Sequence, residues 1–288
     1  MDRNLLFRVF APLAFAAALC VQSNPVTATI LYGNSATTGP DLVQVIDVDV
    51  TAGTGTLVQN YEVSTGNGRG VVVVGNTLYS TESGPSGNIF GGSNQIYMTD
   101  LTTGLSLGSI TVSGLPSAAA MSTLAWDGSY FWTSEYLGGN SAYKIDTSGN
   151  IVQTISLGQA TFNMDGMEYF EGKLLSNRGD TVGPYDLYDL SGNLLQSAFI
   201  NKTSSTTGVA YDGTYFFTSN IYSNSLSVWD STGTYLKDIS LTGFNFQIED
   251  LSVDYAQRED TAGVPEPATL ALLGLGLAGL GFARKKKV

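Results

Sequence analysis

Four stretches of the chain share one pattern of apolar and polar positions. GVVVVGNTLYSTE (70–82), TLAWDGSYFWTSE (123–135) and GVAYDGTYFFTSN (208–220) align without a gap; GMEYFEGKLLSNR (166–178) aligns with one residue inserted before its turn and one lost after it. Each is a short apolar run, a turn such as Asp127-Gly128 or Asp212-Gly213, and a second run rich in aromatic residues. Runs this short that break at Asp-Gly predict β-hairpins, because both turn residues tolerate positive φ. A third run follows in every unit (QIYMTD, SAYKID, YDLYD, LSVWD), ending at Asp100, Asp146, Asp189 and Asp230. A Gly lies three or four residues after each of these aspartates. That spacing lets the carboxylate accept the amide two residues on while Gly takes the strained position. Fourth runs close the units: LSLGSITV, NIVQTISL, NLLQSAFI and TYLKDISL.

Four strands in sequence, repeated every 41 to 53 residues, predict an all-β fold, a β-propeller. Near the start, ATILYGNS (28–35), LVQVID (42–47) and TLVQNYEV (56–63) read as second, third and fourth strands that lack a first. EDLSVDY (249–255) reads as a first strand standing alone, with Asp254 at the turn position of Asp212. The reading is five four-stranded blades closed by this C-terminal strand: 251–255 with 29–64, then 70–113, 123–158, 166–201 and 208–242. Six blades, with an irregular one within 83–122, and an open sandwich of similar hairpins are the alternatives. Closure would leave only short outer edges exposed.

Charge narrows the partners. Between Thr29 and Asp260 there are 23 acidic and 7 basic side chains, a net charge of -16. Such a body repels phosphate backbones, so nucleic acid is not an expected partner. There is no histidine, and the one cysteine, Cys20, falls in the first apolar run. His-based triads, His-metal centres and a disulfide framework are therefore outside its means.

The two ends differ from the body. Residues 1–28 begin with Arg3 and Arg8, continue through an apolar stretch from Val9 to Val21, and reach Val26-Thr27-Ala28. This basic, apolar, small-residue order predicts a secretory signal peptide. After the body (29–255) and a short polar linker (256–263), residues 264–288 read VPEPATLALLGLGLAGLGFARKKKV. Ala268 to Ala283 is an uncharged run of 16 residues, about 24 Å as a helix. That is short of a hydrocarbon core of roughly 30 Å, a gap that snorkelling lysines can cover. The basic cluster Arg284, Lys285, Lys286 and Lys287 would stay on the cytoplasmic face and leave the body outside. The order Pro265-Glu266-Pro267, apolar run, basic cluster resembles the PEP-CTERM sorting signal of Gram-negative bacteria. The resemblance covers about 25 residues. It implies export, transient anchoring through a C-terminal membrane helix, and an exosortase as partner, with Pro265, Glu266 and Pro267 as its recognition residues. It also implies an exopolysaccharide or biofilm-matrix setting, and says nothing of the body's fold.

Candidate chemistry in the body is sparse. Propeller loops bind where blades converge, and the equivalent positions after the second strands are Glu82, Glu135, Arg178 and Asn220. The Gly- and Asn-rich inserts 83–95 and 136–142 bring Phe90 and Tyr136, aromatic surfaces that can stack on a sugar. Asp47 and Asp49 form an Asp-x-Asp pair that can offer oxygen to calcium, although Asp47 is also the aspartate expected at the repeated turn. Asp165, Glu168, Glu171 and Asp180 cluster in one unit; Asp180 is also a candidate partner for Arg178. Two readings remain: a non-catalytic surface or matrix protein that binds extracellular polysaccharide or neighbouring proteins, and a polysaccharide-active enzyme using paired carboxylates.

Overall fold

The computed structural model describes residues 28–36, 41–83, 94–116, 121–136, 139–160, 164–179, 182–203, 206–244 and 247–258. The expected signal peptide, Phe90, Asp180 and the whole sorting tail lie outside these. Among the described residues no helix is long and apolar enough to cross a membrane.

The fold is all-β. The first group of strands is β1 (Thr29–Ala36), β2 (Asp41–Asp49) and β3 (Thr54–Ser64). Next come β4 (Asn67–Val74), β5 (Thr77–Ser83), β6 (Gln95–Asp100) and β7 (Ser106–Thr111). They are followed by β8 (Ala125–Trp126), β9 (Phe131–Ser134), β10 (Ser141–Ile145) and β11 (Ile151–Ser156). Then come β12 (Met167–Phe170), β13 (Lys173–Gly179), β14 (Val182–Asp189) and β15 (Leu194–Ile200). The last are β16 (Thr206–Tyr211), β17 (Tyr215–Asn220), β18 (Ser225–Asp230), β19 (Tyr235–Thr242) and β20 (Gln247–Ser252).

The hydrogen bonding of these strands corrects the expected five-bladed propeller, and the six-bladed and sandwich alternatives with it. Among the described residues, eight strands form one sheet in the order β16-β17-β18-β19-β3-β2-β1-β20, beside three separate four-stranded sheets (β4–β7, β8–β11, β12–β15). The junction that overturns the blade count is parallel: Ser240, Leu241 and Thr242 of β19 pair with Thr54, Gly55 and Thr56 of β3. Gly55 permits it, since a Cβ there would lie 2.6 Å from the Leu241 side chain. At the sheet's other end β20 pairs antiparallel with β1. The two end strands then return against each other: the Thr207 hydroxyl donates to the Ile248 carbonyl at 3.2 Å. Gly208 lets the backbones meet, because a Cβ there would sit 2.5 Å from the Asp250 Cα. The eight-stranded sheet is thus a nearly closed barrel, filled by Leu31, Ile46, Phe217, Val228, Ile239 and Leu251 among others.

The four-stranded sheets pack on their neighbours through apolar clusters. Trp132 and Ile155 meet Met167 and Tyr188, while Val72 and Ile96 meet Leu124 and Phe131. Between β12–β15 and β16–β19 the contact is aromatic. The Phe170 ring lies edge-on to Tyr211 at 4.7 Å and to Phe216 at 4.9 Å, pairs worth about 0.5–1.5 kcal/mol each beyond their area.

The turn chemistry is local and regular. In the β14–β15 turn Ser191 N donates to Asp189 Oδ1 at 2.8 Å, and Gly192 adopts φ 88°. The side chain and amide of Asn193 lead the interactions that hold the Asp189 carboxyl below its ordinary range. In the first group the capping aspartate is Asp49, which accepts from Ala52 N at 2.8 Å. Asp47, expected in that role, lies inside β2 opposite Thr56.

A buried polar belt joins the sheets in sequence. Asn34 donates to the Gly70 carbonyl at 3.2 Å and Thr81 to that of Met121 at 3.0 Å. Ser134 donates to Met164 at 3.3 Å and Asn177 to Thr206 at 3.3 Å. Each bond runs from the first hairpin of one group of strands to the segment opening the next, and it satisfies a carbonyl that burial would otherwise leave costly.

Candidate functional site

The belt positions the residues that follow it. Glu82, Glu135, Arg178 and Asn220 come directly after Thr81, Ser134, Asn177 and Ser219. Three of the four turn back onto the third strand of their own sheet. Glu82 Oε1 accepts from the Tyr97 hydroxyl at 2.7 Å, and its Oε2 from Gly66 N at 2.6 Å. Glu135, fully buried, accepts from the Tyr143 hydroxyl at 3.2 Å. Arg178 makes a two-pronged contact with Asp186 at 2.7 and 2.9 Å and also donates to Ser197. Its described partner is therefore Asp186, and this bonding raises the Arg178 guanidinium further above its ordinary value. Tyr136 lies under the Arg69 guanidinium, 5.0 Å from ring centroid to Cζ; Arg69 itself pairs with Glu249 in the interior.

Register explains why the fourth position differs. Tyr97, Tyr143 and Asp186 occupy one column, opposite Ser80, Thr133 and Ser176 of the preceding strand. In β18 the corresponding residue, opposite Thr218, is Ser227. A small hydroxyl stands where the other sheets carry a bulky partner, and Asn220 is shorter than Glu82, Glu135 or Arg178. The space left is a polar groove of about 350 Å³.

Lys202, Asn220, Ser227, Trp229, Tyr235 and Asp238 line this groove. Lys202 arrives from the segment after β15, and its carbonyl packs on Gly183, where a Cβ would collide with it. Its ammonium donates only at long range: to Ser219 O at 3.2 Å, Ser227 Oγ at 3.3 Å and Thr218 Oγ1 at 3.5 Å. Burial pushes the Lys202 pKa down to about 8, against the opposing pull of the Asp238 charge. Asp238 faces Ser227 across the β18–β19 pair and accepts its hydroxyl at 2.8 Å. Trp229 is buried, its indole N–H on Thr218 Oγ1 at 3.1 Å. Tyr235 lies edge-on to it at 5.3 Å and is 50% exposed. The groove therefore offers an aromatic surface, amide and hydroxyl groups, one cation and the Asp238 carboxylate.

The other candidates lie elsewhere. Glu168 is locked in the interior by Arg258 at 2.7 Å and the Tyr255 hydroxyl at 2.6 Å. Glu171 is at a hairpin turn, 3.4 Å from Lys173. Asp165 is buried beside Asn177, whose Oδ1 accepts its amide. Asp49 caps its own turn, as described above. Sequence reading found Asn220 but missed Lys202, Ser227, Tyr235 and Asp238. The available signal was the aligned column Tyr97, Tyr143, Asp186, Ser227, in which one unit alone lacks a large polar side chain.

Fold and groove together define an all-β body with a polar, aromatic-walled cleft. Residues 263–286 match the model of the PEP-CTERM protein-sorting motif. The chain is accordingly an exported exosortase substrate, bound for the cell surface or extracellular matrix of a Gram-negative bacterium. No curated protein matches it. Among solved structures, 770 chains match. The crystal structure of a nidogen/laminin complex aligns at TM-score 0.52 and 11% identity, over 80% of this chain and 100% of that one. At that identity the likeness concerns the fold alone. The computationally designed Ika4 protein aligns at TM-score 0.39 and 14% identity, over 59% of this chain and 94% of that one.

Proposed function

We propose that the body is a non-catalytic binding module of the extracellular matrix, which holds glycan chains of the surrounding exopolysaccharide. The observation that carries this reading is the groove between β17, β18 and β19. It combines an exposed tyrosine face, amides and hydroxyls on a body addressed to the outside, the donor set and concavity that sugar recognition uses. In this reading Pro265, Glu266 and Pro267 are read by the exosortase. The apolar run with Arg284, Lys285, Lys286 and Lys287 anchors the protein in the membrane until processing.

The test is incubation of the purified full-length protein with exopolysaccharide from the producing organism. Retention of polysaccharide at unchanged chain length supports the module. Shortened chains would transfer the protein to the carboxylate-dependent enzymes, and failure to retain any polysaccharide would end the proposal. Replacing Pro265, Glu266 and Pro267 by alanine should leave the protein in the membrane fraction; normal release of that variant would remove the role given to these residues.

A further inference from the structure

We infer that the groove takes an acidic sugar, a carboxylated hexose unit, with its carboxylate on the Lys202 ammonium and its ring against Tyr235. The inference rests on the glycan-binding reading above and names the ligand class.

Three observations lead there. First, Lys202 is a cation short of compensation. Its three donors reach acceptors at 3.2 to 3.5 Å, longer than the roughly 2.7–2.9 Å typical of a charge-assisted N–H bond. Among the described ion pairs it has no carboxylate within 4.0 Å, whereas Arg69, Lys144, Lys173, Arg178 and Arg258 each do; Lys237 lacks one too, but is held by the Val50 carbonyl. Asp238 is hydrogen-bonded to it only by way of Ser227, although its charge also acts on the ammonium from further off. A half-buried ammonium in this state is stabilised by any anion that enters the groove. Second, the groove is specific to this unit. Elsewhere the same column is filled by Tyr97, Tyr143 or Asp186, and its partners are already satisfied. Third, Tyr235 lines the same groove as the cation with half its surface free, and the Asn201 and Asn220 side chains border the same space. A carboxylate alone needs none of these; a carboxylated pyranose uses all of them.

The net charge of -16 between Thr29 and Asp260 does not oppose this. At physiological salt, charges separated by more than about 8 Å are largely screened, so attraction is confined to the groove.

Calorimetry on the full-length chain in mild detergent tests the inference, with a galacturonic acid hexamer as probe and its methyl ester as the neutral control. The acid should bind at least about tenfold more tightly than the ester, one such factor being about 1.4 kcal/mol. Lys202→Gln should remove that preference. Asp238→Asn, which deletes the one competing negative charge, should strengthen acid binding. Two opposite shifts from neighbouring groove residues cannot both follow from misfolding. Ser227→Tyr, which installs the side chain found in two other sheets, should block both probes. Affinity for the acid should fall as pH rises past about 8, because the bound form requires the protonated ammonium. Equal binding of acid and ester, or acid binding unchanged in Lys202→Gln, overturns the inference. If the native polysaccharide is retained while the acid hexamer is not bound, the matrix-binding reading stands and the acidic ligand falls. If nothing is retained or bound, both fall.

Discussion

Replacing Arg258 by methionine should destabilise the whole body, although the residue stands at the last described position before the tail. Its side chain is 3% exposed and that of its partner Glu168 1%. The Arg258 guanidinium donates to Glu168 Oε1 at 2.7 Å and to the Tyr169 carbonyl at 2.9 Å, and lies 4.5 Å from the Tyr255 ring centroid. Methionine keeps the packing volume and removes the charge, leaving Glu168 facing the Tyr255 hydroxyl and the Tyr211 amide. Removing one partner of a buried pair costs about 3–5 kcal/mol. A body of this size shifts by roughly 2–4 °C per kcal/mol, so the melting temperature should fall by about 6–20 °C. Thermal unfolding of the full-length chain followed by circular dichroism measures it. The double variant Glu168→Gln, Arg258→Met should recover most of the loss, since a neutral pair leaves no charge stranded. A cost below about 1 kcal/mol for Arg258→Met, the range of an exposed pair, would refute the buried clamp.

Other expectations follow from the same interior. Burial first, and then the Glu168 charge, raise the Asp250 carboxyl well above 3.8. The folded state keeps that proton to higher pH than the unfolded chain, so stability falls as pH rises above about 4. Asp250→Asn should flatten this decline by up to about 1.4 kcal/mol per pH unit, read from urea unfolding at several pH values; parallel profiles would contradict it. Gly208→Ala places a Cβ 2.5 Å from the Asp250 Cα and should cost about 1–3 kcal/mol by overpacking, seen as a lower urea midpoint. A chain ending at residue 263 should melt like the full-length protein. One ending at Tyr255 loses Arg258 and should match Arg258→Met in differential scanning calorimetry.

What could be read in advance was local. Asp146, Asp189 and Asp230 announce their turns because carboxylate, intervening amide and glycine lie within four residues of each other. The strand order within each hairpin follows from the same short-range chemistry. The β19–β3 pairing is different in kind. It brings Gly55 against Leu241 from about two thirds of the chain away, and a fourfold strand repeat carries no information about which outer edges meet. One slip was of two residues: Asp47 and Asp49 both suit the turn, and register chose the second. Arg258 lies in a stretch, AQRED, whose polarity reads as a linker; only the packed structure brings Glu168 to it. The groove escaped notice because it is made by what is small, Ser227, and by a lysine on a connecting segment.

The clamp also decides how this protein carries load. Among the described residues, a pull from the C-terminal side meets Arg258 ahead of β20. The Tyr255 amide is bonded to Val73 of β4 at 2.9 Å, and Arg258 to Glu168 of β12. A pull on the tail is therefore shared among three sheets before it can unzip the strand that pairs with β1. Under a pull from the C-terminal side, residues 255–258 would act as strain relief for β20.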